Sequence, residues 1–217
     1  MDGSGQHLVT SVSGMQCVII LIDCNSNCIR VVPVKSRKSE HLMEARKGTH
    51  EWFKEKGFEA QLLRLDNEIS ELMIQAIKEN NQDYQLALPS DHRINPAERA
   101  MQVVKAHFIS VRACTNASFP KNQWDPLPPH TEFTLNSLRP SKINKNISAC
   151  TILHGHHDFM KHPMSIAGTK VHDRHVDQGS WDDKGTEGFF INKAPEHHRN
   201  CKCCIPTTND MASEHPT

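Results

Sequence analysis

The sequence predicts an α/β fold in which a mixed sheet carries helices on its faces and a smaller β-rich segment follows. Three observations predict it. Two apolar runs near the start, residues 17–22 and 28–34, flank the turn residues Asp23-Cys24-Asn25-Ser26-Asn27, the pattern of an antiparallel hairpin. After Pro96, the residues Met101, Val104, Phe108 and Val111 recur at three- and four-residue steps, the period of a helix with one buried face. From Gly168 onward the chain is rich in Gly, His, Asp and Trp and carries a strand-like run at residues 188–191.

The remaining elements follow in chain order. An incomplete strand around Asp2 precedes the hairpin. Ser39 is placed to cap a helix carrying Leu42, Ala45, Trp52 and Phe53, which Gly57 ends. Residues 60–65 read as a strand running into Asp66-Asn67-Glu68; a helix over 69–77 and a short strand over 84–88 come next. Pro128 and Pro129 fit the first turn of a helix reaching through 131–138, because a missing N–H costs nothing there. Strands followed by helices that alternate with strands place the helices on the faces of one sheet. Beyond Pro206 the chain is polar, and a disordered tail is expected.

Composition narrows the function classes. At 217 residues the chain can hold one sizeable domain and an appendage. The apolar run at 17–22 is far too short to span a bilayer, and Met1-Asp2-Gly3-Ser4 lacks the basic start and apolar stretch of a signal peptide, so a soluble intracellular protein without membrane association is expected. Lys+Arg and Asp+Glu balance at 25 each, so net charge does not announce a polyanionic partner, although Lys35-Ser36-Arg37-Lys38 is a local basic run. The eight cysteines are irregularly spaced and read as reduced thiols rather than a disulfide framework.

Candidate chemistry rests on acidic residues at element ends. Asp66 closes a strand, and Glu98 stands in the first turn of the helix that begins at Pro96. Taken singly, each has an ordinary structural use: a strand-end carboxylate forms turns or caps helices, and a first-turn glutamate complements the helix dipole. The surrounding words are more specific. Leu65-Asp66-Asn67-Glu68, His92-Arg93-Ile94-Asn95-Pro96-Ala97-Glu98-Arg99-Ala100, Trp124-Asp125, Thr134-Leu135-Asn136-Ser137-Leu138-Arg139, Ser148-Ala149, Pro163, Gly168-Thr169-Lys170-Val171, Gly179-Ser180-Trp181-Asp182 and Gly188-Phe189-Phe190-Ile191 occur in that order. In that order they resemble the integrases of copia-like retrotransposons, from Asp2 to about Pro206.

The resemblance implies a ribonuclease-H-like, five-stranded mixed sheet over residues 1–140, a connecting segment at 141–166, a small β-rich module at 167–206 and a tail at 207–217. It also implies the activity: a polynucleotidyl transferase with endonuclease action, trimming DNA ends and joining them to target DNA. The first catalytic aspartate of the family lies in an Asp-x-Thr/Ser-Gly word, here Asp2-Gly3-Ser4-Gly5; Asp23 falls at a non-catalytic position in the hairpin turn. Asp2, Asp66 and Glu98 are then the catalytic and metal-binding set, holding two Mg²⁺ or Mn²⁺ ions, which favour hard carboxylate oxygens. Helical geometry places Gln102 and Lys105 on the face of Glu98, and by resemblance that face meets DNA; a solvated face is the plainer alternative. DNA, a homo-oligomer and a nuclear location are implied in the same way.

Two His/Cys clusters, His154-Gly155-His156-His157-Asp158 with His162, and His197-His198-Arg199-Asn200-Cys201-Lys202-Cys203-Cys204, resemble metal sites but lack the paired spacing of a structural zinc site, and read as adventitious. The sequence also departs from the family. It holds no His/Cys zinc module before the core, few residues precede Asp2, and Asn192 and His198 stand where the family has Gly and Tyr. These departures suggest a second reading: a truncated, non-catalytic remnant that binds DNA or a partner protein.

Overall fold

The computed structural model describes residues 2–3, 9–65, 70–86, 96–173, 181, 185–194, 199–206 and 211–214, of which 2–3, 173 and 211–214 are described by backbone only. The hairpin lies where its apolar runs place it: β2 (Cys17–Ile22) pairs antiparallel with β3 (Ile29–Val34), and β1 (Asp2–Gly3) pairs antiparallel with β2. Helix α1 (Ser39–Glu55) is followed by β4 (Leu62–Leu65), α2 (Glu71–Glu79), β5 (Asp83–Leu86) and α3 (Pro96–Ala113). Two shorter helices follow, α4 (Pro128–Leu138) and α5 (Ala149–His154). The C-terminal strands are β6 (Lys170–Asp173), β7 (Thr186–Lys193), β8 (Cys201–Cys204) and β9 (Met211–Glu214).

The α/β class stands, and a single five-stranded sheet is not shown among the described residues. Among the described residues the strands form separate ladders of three (β1-β2-β3), two (β4-β5, parallel) and four (β6-β7-β8-β9). The described part of β1 pairs opposite Ile20 and Ile19 of β2, and among the described residues no ladder links it to β4. Two smaller expectations also change. Ser39 is the first residue of α1 rather than its cap; the cap position is Lys38, whose N–H donates to the Ser36 hydroxyl at 3.3 Å. Within the tail expected to be disordered, Met211–Glu214 forms β9, because β8 offers it an open backbone edge.

The hairpin is held between helices on its two faces. Ile19 and Cys17 pack with Ala45 of α1, while Ile20, Ile29 and Val31 pack with Ala100 and Val104 of α3 and Leu135 of α4. Among the described residues the outer edge of β3 has no strand beside it, and buried side chains of α4 satisfy it instead. Asn136 accepts from the Ile29 N–H at 2.9 Å and donates to the Ile29 carbonyl at 2.7 Å; Glu132 accepts from the Val31 N–H at 2.9 Å and from Arg30 Nη1 at 2.8 Å. Arg139 fixes the hairpin tip by donating to the carbonyl and side-chain oxygens of Asn27, at 3.2 and 2.6 Å.

The C-terminal sheet shares its core with the rest of the chain. Phe189 and Ile191 of β7 pack with Val111 of α3, Phe119, Leu127, Ala167 and Cys204. Trp124, fully buried, donates its indole N–H to the Val9 carbonyl at 2.8 Å and meets Phe108 edge-on. Gly168 joins the two parts: its N–H donates to the Phe190 carbonyl at 2.7 Å, with φ at +78° and Thr115 standing 2.5 Å from where a Cβ would lie. Gly168→Ala is therefore expected to lower stability by about 1–3 kcal/mol, read as a shift of the urea midpoint at constant slope.

Burial also sets a pH dependence. His130 of α4 is buried against Phe190, its Nδ1 lacks a hydrogen-bond partner, and burial, aided by the positive field of His107, lowers its pKa from 6.5 to about 4. The unfolded chain then binds the proton first, so the contribution of His130 is complete above about pH 6.5 and is lost as pH falls toward 4. An unfolding free energy measured from pH 7 to 4 is expected to decline, and His130→Gln to flatten the decline.

Candidate functional site

Glu98 enters the site through the packing of α3. Ala97, Ala100 and Val104 are buried, and α3 lies against β1 and β2, so Glu98 is half-buried in the first turn beside the sheet. The small side chains of Ala97 and Ala100 permit this close approach. One turn and two turns further along, Gln102 and Lys105 are exposed, on the side of the helix away from its buried residues. The expected helical strip of Glu98, Gln102 and Lys105 is therefore present. Ile109, 58% exposed, continues it.

Asp2 is placed by register. Its backbone stands opposite Ile20, and Ile20 packs with Ala100 and Val104 of α3, so the strand of Asp2 and the helix of Glu98 are neighbours. Asp66 lies outside the described residues. What is described is the approach to it: β4 ends at buried Leu65, which packs with Met73 and Ile77 of α2. Arg64 and Ala97, just ahead of Asp66 and Glu98 in sequence, line one cleft of about 570 Å³. Asp23, at the end of β2, also lines it, but its carboxylate accepts from the Ser26 N–H at 2.6 Å and closes the hairpin turn, a structural task.

The fit to a hard divalent metal therefore rests on donor chemistry and on the packing of β1 against α3. Three carboxylates from separate elements are the donor type that such ions select. Among the described residues no three His, Cys, Asp or Glu side chains gather as metal ligands. The two His/Cys clusters take part in packing where they are described. His157 stacks with His162 and meets Phe133 and Phe159 edge-on. Cys204 donates to Gln123 Oε1 at 2.6 Å, and burial raises its thiol pKa to about 11. His197 and His198 lie outside the described residues.

Local pattern does not reveal the wall of the cleft. Arg46, in the middle of α1, is 4% exposed and donates to Gln82 Oε1 at 2.7 Å. Gln82 in turn donates to the Ala60 carbonyl at 2.7 Å and contacts His50 Nδ1 at 3.2 Å. An arginine in a charged helix reads as a solvated residue; only tertiary packing buries it.

No protein-family model and no curated protein matches the sequence. Among solved structures, the chain is similar to one in the simian T-cell lymphotropic virus intasome in complex with PP2A regulatory subunit B56 gamma. The TM-score is 0.53 at 11% identity, over 98% of this chain and 74% of that one. At that identity the likeness is one of fold: a mixed α/β protein of the same overall shape as a chain of a retroviral intasome. No described helix is long and apolar enough to cross a membrane.

Proposed function

We propose that this chain is an integrase catalytic core of the copia-like type, a metal-dependent polynucleotidyl transferase acting on DNA ends. The observation that carries the reading is the coincidence of two independent likenesses over the same span. The ordered sequence words run from Asp2 to about Pro206, and the fold likeness to a chain of an intasome covers 98% of this chain. The packing of the strand of Asp2 against the helix of Glu98 supports it.

In this reading Asp2, Asp66 and Glu98 would hold two Mg²⁺ or Mn²⁺ ions, which supply charge neutralisation at the phosphate and acidify the attacking water or 3′-hydroxyl. The residues of α3 then position the DNA. Lys105 would contact a backbone phosphate through its exposed ammonium, and Gln102 would hydrogen-bond beside it. Homo-oligomerisation on paired DNA ends and a nuclear location belong to the same proposal. Lys105→Ala is expected to weaken binding to any duplex and to reduce the slope of log K against log salt by about 1, measured by fluorescence anisotropy between 50 and 200 mM salt, about the range over which phosphate contacts respond.

The test is cleavage of an end-labelled duplex by the purified chain in Mn²⁺. Loss of cleavage in Asp66→Asn supports the proposal, and cleavage that persists in it refutes the assignment. One observation favours a second reading, a non-catalytic remnant that binds DNA or a partner protein: among the described residues no ladder links β1, which carries Asp2, to β4, which precedes Asp66.

A further inference from the structure

The C-terminal sheet brings two thiols together away from the carboxylate site. Cys201 and Cys203 stand two residues apart on β8, so both side chains project from one face of the sheet. On that face they pack with Phe190 and Val171. Cys204, the next residue, turns the other way and joins the core around Val111, Phe189 and Ile191. The Cys201 and Cys203 sulfurs are 3.4 Å apart, and both residues are buried free thiols.

Strand geometry accounts for the approach. In a regular strand, residues two apart have Cα atoms about 6.6 Å from one another, near the upper limit of about 6.8 Å that a disulfide spans. Here β8 runs opposite a bulge: β7 advances three residues, from Phe190 to Lys193, while β8 covers two, from Cys203 to Cys201. A bulge increases local twist, and a strongly twisted strand rises less per residue, which shortens the span between the two cysteines. Rotation about the two Cα–Cβ bonds then closes the sulfurs from 3.4 Å to the bond length of about 2.05 Å. A structural zinc site would need two further ligands. A disulfide needs only these two residues and leaves no charge inside an apolar cluster.

We propose that Cys201 and Cys203 are a redox modification site that closes reversibly to a disulfide by exchange with a small-molecule disulfide such as oxidised glutathione. One protein thiolate attacks the glutathione disulfide, forming a mixed disulfide and releasing one glutathione thiolate. The second protein thiolate displaces the other glutathione. Two electrons and two protons thus pass from the protein pair to two molecules of reduced glutathione. A disulfide between alternate residues of a strand is strained, and strain makes the bond easy to reduce. The buried sulfurs react when the sheet edge opens, since β8 and its outer neighbour β9 are four residues each. This inference is independent of DNA chemistry and stands or falls apart from it.

The test equilibrates the full chain with glutathione buffers from fully reduced to fully oxidised, then quenches, alkylates and maps the bonds by mass. The two exposed cysteines are first removed as Cys24→Ser and Cys114→Ser, so that surface thiols do not compete. A product lighter by two hydrogens is expected under oxidising buffer, restored by dithiothreitol. Trypsin cuts after Lys202, so the Cys201–Cys203 bond should hold together two peptides that reduction separates. Urea below the unfolding midpoint should speed closure about tenfold or more, because it populates the open edge. Cys201→Ser and Cys203→Ser should each abolish the product, and Cys204→Ser should leave it. The mapping is read with Cys201 and Cys203 intact, so a folding defect in their serine variants does not blur the result. Absence of the bond in fully oxidised glutathione, with and without urea, overturns the proposal. So does a bond that engages Cys204, or a reaction that stops at the mixed disulfide.

Discussion

Glu132→Ala is expected to destabilise the chain by about 3 kcal/mol, the lower end of the range for removing one partner of a buried ion pair, because the Arg30 side chain is 28% exposed. Glu132 is almost fully buried, and its two oxygens hold Arg30 Nη1 at 2.8 Å and the Val31 N–H at 2.9 Å. Desolvation raises its pKa, and the Arg30 charge and the hydrogen bonds from Val31 and Arg30 oppose that shift. Truncation would leave an edge N–H of β3 unpaired inside the protein and a guanidinium supported chiefly by the Trp52 ring, 4.4 Å away. Glu132→Gln, which keeps an acceptor for Val31, should cost less, about 1–3 kcal/mol. Urea unfolding followed by circular dichroism measures both. A loss that is a large share of an ordinary domain's stability would show that α4 supports the outer edge of β3.

Glu98→Gln is expected to reduce Mn²⁺-dependent cleavage of duplex DNA by about 10²–10³-fold or more while leaving the unfolding midpoint nearly unchanged. The two halves of this prediction belong together. Glu98 is half-buried in the first turn of α3, whose hold on the sheet comes from Ala97, Ala100 and Val104, so the amide substitution removes charge without removing packing. Gln102→Ala, one turn further out, should change cleavage much less. Equal losses of stability and activity in Glu98→Gln would instead mark the glutamate as a helix-dipole residue.

Much of the fold is legible in the sequence because it is local. The hairpin shows as two apolar runs around an Asp-Cys-Asn-Ser-Asn turn, and the matching strand is Cys17–Ile22. Helix α3 shows as a three-four repeat after Pro96, and α4 begins at the proline pair. How the ladders are ordered is not legible, because strand order is decided by pairing over long separations. The roles of Glu132 and Asn136 are hidden for a related reason. Each looks like an ordinary polar residue of a helix until the uncovered edge of β3, about 100 residues earlier, is set beside it. Arg46 is the extreme case, a buried side chain whose partner Gln82 comes from the connection between α2 and β5. At the candidate site, the words around Glu98 locate the helix, its exposed strip and its contact with β1, whereas Asp66 lies outside the described residues.

Metal titration tests the central claim most directly. Isothermal titration of Mn²⁺ and Mg²⁺ into the purified chain should show two divalent-dependent binding events, both weakened by Asp66→Asn and lost in Asp2→Ala. No binding up to millimolar metal, or binding unchanged in Asp2→Ala, would contradict a two-metal centre on Asp2, Asp66 and Glu98.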